Sequence, residues 1–135
     1  MRLFKIFALL LLLGSSFLAC KKDHNSTHNH SGSEAFIGKW KGNYGFDNNL
    51  PSYFFSLNIK SDGVIQELNA SGVAKGEGTW SMQGSVLKGV YNMKFSPYNK
   101  YSVLVSVNAA TGKLEGTWGY DDNGSDGGKL LLSKD

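Results

Sequence analysis

The chain is poor in the residue types on which much protein chemistry depends. It has one cysteine, so no disulfide can form within it. Its single arginine is Arg2, and its three histidines are His24, His28 and His30. Residues 35–135 therefore lack histidine, cysteine and arginine, which excludes His-dependent nucleophiles, thiol catalysis and bidentate arginine clamps from that stretch. We expect it to have no enzymatic activity and no cofactor.

A strong excess of charge of either sign is also missing. From position 20 onward the chain carries twelve lysines and eleven acidic residues, a net charge of +1. The only adjacent basic residues there are Lys21 and Lys22. Nucleic-acid binding depends on clustered basic side chains that neutralise phosphates, so we expect no nucleic-acid partner.

No apolar run is long enough for a permanent membrane span. The longest covers residues 6–13, whereas a spanning helix needs about 20 residues. Arg2 and Lys5 precede this run, and the small residue Ala19 stands before Cys20. A positive start, a short apolar centre and a small residue before the cut predict a cleavable secretion signal over residues 1–19.

The lone cysteine lies at the predicted cleavage point. Residues 17–20 (FLAC) resemble the lipobox of bacterial lipoproteins, which implies that Cys20 carries diacylglycerol and an N-linked acyl chain such as palmitate. Acyl chains contribute about 0.8 kcal/mol per buried CH₂ and would hold the protein on a membrane. Residues 21–23 (KKD) are similar to the export signal of surface lipoproteins in the Bacteroidota. We therefore expect an outer-membrane lipoprotein facing the periplasm or the cell surface; the alternative is an ordinary signal peptide followed by a buried cysteine.

Residues 20–34 are predicted to form the lipidated cysteine and a flexible tether. The segment is polar and cannot bury enough apolar surface to fold. Its histidines, His24, His28 and His30, have a spacing that could bind a transition metal. A flexible tract offers no preformed geometry, however, so we interpret it as a spacer and predict no metal site.

Residues 35–135 show alternating apolar and polar positions with turn residues between short runs. This pattern predicts an all-β domain. Eight strands are expected, over residues 36–44, 53–60, 63–69, 75–82, 85–94, 101–108, 112–120 and 127–133. Short hairpin connections and the need to remove sheet edges predict a single eight-stranded antiparallel up-and-down barrel.

Glycine precedes tryptophan by two positions three times, at Gly38, Gly78 and Gly116. Inward glycines in strands imply strong curvature or a large side chain packed over them from across the barrel. Residues 37–44 (IGKWKGNY), which open the predicted meander, resemble the first strand of lipocalin-like (calycin) barrels. That resemblance implies that Trp40 closes one end of the barrel and that the other end is open.

Several large aromatic residues lie on the predicted inward face. They could line a pocket for an apolar or sugar-like ligand. The candidate ligand-binding residues are Trp40, Tyr44, Phe55, Trp80, Tyr91, Trp118 and Tyr120. The alternative is that they fill the barrel, since eight strands leave little spare interior.

Acidic residues offer two further candidates. Catalysis by a pair of carboxylates is one hypothesis. However, Glu77 and Glu115 are predicted to lie on outward faces of their strands and to form solvated charge pairs with Lys75 and Lys113. Residues 121–127 (DDNGSDG) superficially suggest a calcium loop, yet the EF-hand pattern fails at its sixth and twelfth positions. A hairpin turn is the simpler interpretation. The other acidic residues considered are Asp47, Asp62, Glu67, Asp121, Asp122 and Asp126.

Two functions of different classes follow from the sequence. In the first, a lipid-anchored barrel binds a small apolar ligand through the end opposite Trp40. In the second, a fully packed barrel is an interaction or structural module of an envelope complex, and its outer face or its loops 45–52 and 95–100 contact the partner.

Overall fold

Residues 32–135 are described by the computed structural model, and apart from one 3₁₀ turn their regular secondary structure is all β-strand. One 3₁₀ turn, Glu34–Phe36, comes first. The strands are β1 Gly38–Tyr44, β2 Tyr53–Ile59, β3 Val64–Leu68, β4 Ala74–Gln83, β5 Val86–Met93, β6 Lys100–Val107, β7 Leu114–Tyr120 and β8 Gly128–Lys134. All eight predicted strands are present. The predicted signal peptide, Cys20, the three histidines and residues 20–31 of the predicted tether lie outside the described residues.

The strands form one closed antiparallel barrel in which each pairs with the next along the chain. β1 and β8 close it, with a register that runs from Trp40 opposite Lys134 to Tyr44 opposite Leu130. Closure leaves no unpaired edge that could template aggregation. Every strand pairing lies within residues 38–134, so the sheet needs no residue outside that range. The predicted fold class is confirmed.

Two of the hairpin turns are built on glycines with positive φ angles. Between β2 and β3, Gly63 adopts a φ of +86°, and the Asp62 side chain accepts a hydrogen bond from the backbone N–H of Val64 at 3.1 Å. Between β4 and β5, Gly84 has a φ of +63°. Positive φ angles favour glycine because it lacks a Cβ, so these positions define where the chain reverses.

One end of the barrel is filled. Trp40 is buried, and its indole N–H donates to the carbonyl oxygen of Phe36 at 2.7 Å. The ammonium of Lys134 lies 5.0 Å from the Trp40 ring centroid, within the range of a cation–π contact. We call this the closed end; Phe36, Trp40 and Trp80 contribute its aromatic packing.

Two of the three predicted inward glycines permit close approach of neighbouring strands. A Cβ at Gly78 would overlap the carbonyl oxygen of Val90, and one at Gly116 would overlap that of Leu104. The steric cause at both is therefore the adjacent strand's backbone. A side chain packed over the glycine is found instead at Gly89, where a Cβ would lie 2.6 Å from Ile65 Cδ1.

Candidate functional site: an aromatic cavity at the open end

A cavity of about 240 Å³ occupies the end of the barrel opposite Trp40. It lies where the odd-numbered strands end and the even-numbered strands begin. We call this the open end; its connections are loops 45–52, 69–73, 94–99 and 121–127. The interior is therefore packed around the closed end and hollow near the open end. The volume lies just below the roughly 300–1,000 Å³ typical of pockets for drug-sized ligands.

Aromatic rings form most of the cavity wall. Tyr44 is central: its ring centroid lies 5.4 Å from that of Phe46, 5.9 Å from Phe55 and 5.4 Å from Trp118, all edge-to-face. The Trp118 ring continues the wall, with its centroid 5.3 Å from Tyr120 and 6.2 Å from Tyr101. Edge-to-face pairs stabilise such clusters beyond simple burial, so the wall is largely preformed.

Trp118 is held in one orientation by a hydrogen bond. Its indole N–H donates to the backbone carbonyl of Gly45 at 2.9 Å. A Cβ at Gly127 would lie 2.6 Å from the Trp118 ring, so only a residue without a side chain leaves room for the indole there. The ring is therefore fixed with its polar atom satisfied, and its apolar face is available to the cavity.

The cavity also has a polar group, made by Glu67 of β3 and Lys75 of β4. The ammonium of Lys75 lies 2.6 Å from a carboxylate oxygen of Glu67. The Glu67 side chain is only 7% exposed, whereas that of Lys75 is 34% exposed. These are the only charged side chains among the residues that line the cavity. A carboxylate buried to this degree requires partners, which Lys75 and Tyr91 supply.

Tyr91 is the third member of this polar group. It is buried, and its hydroxyl donates a hydrogen bond to Glu67. Burial first, and then the negative charge and hydrogen bond of Glu67, raise the pKa of Tyr91 well above its ordinary value. Burial likewise raises the pKa of Tyr44 in the wall. Both phenols therefore stay protonated and can act as hydrogen-bond donors at neutral pH.

A β-bulge directs Lys75 into the cavity. Glu67 pairs with Gly76, but Leu68 pairs with Ala74, so Lys75 is an extra residue on β4. Lys75 lines the cavity, and a Cβ on the neighbouring Gly76 would lie 2.9 Å from the Tyr91 ring. Two consecutive residues thus face inward, which regular alternation forbids and a bulge allows.

The structure brings five of the seven predicted ligand-binding residues together. Tyr44, Phe55, Tyr91, Trp118 and Tyr120 line the cavity. The other two tryptophans do not line it. Trp40 packs at the closed end, and the indole N–H of Trp80 donates to the carbonyl oxygen of Lys60 at 2.8 Å. Their large side chains fill the barrel there.

Sequence reasoning missed the polar group of the cavity. Inward-facing residues recur at every second position along β3, and Glu67 stands two residues after the inward-facing Ile65. The sequence pattern therefore predicts that Glu67 faces inward. The predicted pairing of Glu77 with Lys75 is wrong: the Glu77 carboxylate contacts Lys94 at 3.4 Å and Gln66. The remaining cavity residues that were not among the candidates are Phe46, Met93 and Tyr101.

The other candidate sites are structural where they are described. In the loop between β7 and β8, the Asp126 carboxylate accepts from the backbone N–H of Tyr120 at 2.8 Å, and Asn123 accepts from Ser125. The Glu115 carboxylate accepts from the side-chain amide of Asn108 at 3.2 Å. Within residues 32–135, no group of three His, Cys, Asp or Glu side chains is placed to hold a metal ion. That same stretch contains no helix long and apolar enough to cross a membrane.

In comparisons with known proteins, no protein-family model, no curated protein and no solved structure matches this chain.

Proposed function

We propose that this chain is a lipid-anchored envelope lipoprotein with a lipocalin-like barrel that binds a small, mainly apolar ligand at its open end. The observation that carries ligand binding is the cavity of about 240 Å³, walled by preformed aromatic contacts and holding one buried ion pair. The proposed anchor is supported by the lipobox-like residues 17–20 (FLAC). Concave, mostly apolar sites with a few fixed polar groups are the usual form of small-molecule sites.

The proposed role is binding and not catalysis. Binding is supported by the hydrogen-bonding groups of Glu67, Lys75 and Tyr91 beside the aromatic wall, with the charges of Glu67 and Lys75 offsetting each other. The ligand would be held by apolar contact with the aromatic wall and oriented by the polar group.

Uptake of a ligand is tested by native mass spectrometry. The chain from Lys21 onward, which lacks the proposed lipid site but keeps every paired strand, is expressed in a Gram-negative host and purified without detergent. A reproducible small-molecule adduct that enters organic solvent on denaturation is expected. A clean apo mass, together with no uptake of added apolar compounds, would refute ligand binding.

The anchor is tested separately on the full chain. Cells expressing it are fed an alkyne analogue of palmitate, and the protein is labelled through the alkyne. We expect label on the wild-type chain in the outer-membrane fraction and none on Cys20→Ser. Equal labelling of the two chains would show that Cys20 is not the lipidated residue.

A second candidate function is supported by the apolar side chains around the open end. Leu50 is 87% exposed, and Phe95 and Tyr98 are each 66% exposed. These residues lie in two loops at the same end of the barrel, 45–52 and 94–99, and exposed apolar patches mark protein-interaction sites. In an interaction module, a photo-crosslinker at Leu50 or Phe95 would give one defined protein adduct in intact cells. A crosslinker at exposed Lys41, on the outer face of β1, is the matched control and should give none.

A further inference from the structure

The charges of Glu67 and Lys75 indicate which class of ligand the cavity can bind. Glu67 and Lys75 lie 2.6 Å apart and contribute opposite charges, so the pair adds no net charge to the cavity. A cavity that collects fatty-acid carboxylates needs an excess of positive charge, and one that collects amines needs an excess of negative charge. Neither excess exists among the residues that line this one.

The pair nevertheless has unused hydrogen-bonding capacity. A carboxylate has about four acceptor positions, and Lys75 and Tyr91 occupy two of them at Glu67. An ammonium has three N–H donors, of which Glu67 takes one. Donors and acceptors are therefore available side by side, in the cavity that Tyr44 and Trp118 also line.

We propose that the cavity selects a small ligand with an apolar or aromatic body and an uncharged head group, such as a primary amide, that both donates and accepts hydrogen bonds. Such a head would donate to Glu67 and accept from Lys75 while its body packs against the Tyr44 and Trp118 rings. This assignment rests on the proposed function and names its ligand class.

Charged relatives of the same ligand are disfavoured by the same pair. A carboxylate head would bring a second negative charge beside Glu67, with one lysine to compensate both. An amine head would bring a second positive charge beside Lys75. A poorly compensated charge in a partly buried site weakens binding strongly, whereas a neutral head avoids that cost.

The test uses three probes of nearly equal shape: 3-phenylpropanamide, 3-phenylpropanoate and 3-phenylpropylamine. Their dissociation constants are measured by calorimetry on the chain from Lys21 onward. We expect the amide to bind at least about tenfold more tightly than either charged probe, a difference of about 1.4 kcal/mol. Equal or tighter binding of a charged probe would overturn the proposal and leave ligand binding intact.

Two variants should reverse the preference in opposite directions. Glu67→Gln leaves Lys75 as an uncompensated cation, so the carboxylate should become the tightest probe. Lys75→Met leaves Glu67 as an uncompensated anion, so the amine should become the tightest. Lys75→Arg keeps the charge and should keep the amide preference; it also serves as a check that changing this residue does not itself abolish folding.

An unchanged ranking in both charge variants, each verified as folded by near-UV circular dichroism, would contradict the assignment. Failure of all three probes to bind the folded wild-type chain would also contradict it. In that case the native mass spectrum still decides separately whether the barrel carries a ligand of another class.

Discussion

The Lys75 ammonium and the Glu67 carboxylate form the charged centre of the cavity, 2.6 Å apart, but water reaches them unequally. The Glu67 side chain is 7% exposed and that of Lys75 is 34% exposed. Removing the more exposed partner, Lys75, leaves the buried Glu67 charge without compensation. Removing Glu67 leaves a lysine whose ammonium is already partly solvated where it stands. The two deletions should therefore have unequal costs.

We expect Lys75→Met to lower the free energy of unfolding by about 1–3 kcal/mol, less than for a fully buried pair because the cavity opens toward solvent. Glu67→Gln should cost about 1 kcal/mol or less. Urea titrations of both variants measure the difference. Lys94→Met, which breaks the exposed pair with Glu77 on the outer face, is the control and should be nearly neutral. A larger cost for Glu67→Gln than for Lys75→Met would contradict this interpretation.

Trp40 should be important for stability and unimportant for the cavity. It is 1% exposed at the closed end, so Trp40→Ala should cost about 3–5 kcal/mol, as for other buried aromatic residues. Trp40→Phe keeps a ring and should cost less. Thermal or urea unfolding measures both, and native mass spectrometry should show unchanged ligand uptake by the Trp40→Phe variant. Loss of uptake in that variant would show that the two ends of the barrel are coupled.

Alanine substitutions at glycines test how closely neighbouring strands approach each other. An alanine methyl group at Gly116 would overlap the carbonyl oxygen of Leu104, so Gly116→Ala should destabilise the barrel by about 1–3 kcal/mol. Gly84→Ala is the comparison, because a Cβ there meets no atom within 4 Å and only the positive φ opposes it. Its expected cost is about 1 kcal/mol. A Gly116→Ala chain as stable as wild type would show that the strands can separate freely.

The raised pKa of Tyr91 predicts that the barrel loses stability in alkaline solution. Burial and Glu67 raise the pKa of folded Tyr91 well above 10.0, whereas an unfolded tyrosine loses its proton near pH 10. The stabilisation is therefore fully present below about pH 10 and is lost as pH rises toward the folded pKa. Tyr91→Phe cannot titrate. Its stability deficit, about 1 kcal/mol at neutral pH from the lost hydrogen bond, should shrink as the pH rises above about 10. A constant deficit would contradict the raised pKa.

The strands were predictable because a single buried interior imposes a period of two on each of them. Residues such as Leu57 and Ile59, or Val103 and Val105, show this directly. The cavity was harder to foresee because it depends on how far each inward side chain reaches. The inward position of Lys75 was hidden altogether, since a bulge depends on the register between β3 and β4 and leaves alternation within β4 otherwise intact.

The three tryptophans allow ligand binding to be located by fluorescence. Trp118 lines the cavity, whereas Trp40 and Trp80 pack elsewhere and donate their indole N–H groups to Phe36 and Lys60. A ligand in the cavity should change the emission of Trp118 alone. Trp118→Phe should therefore abolish the response to 3-phenylpropanamide.

Trp40→Phe and Trp80→Phe, each folded by circular dichroism, should keep that response. Calorimetry on Trp118→Phe separates a lost signal from lost binding, because phenylalanine preserves part of the aromatic wall. A response that survives in Trp118→Phe but disappears in Trp80→Phe would place the ligand outside the cavity. That outcome would refute the open end as the binding site.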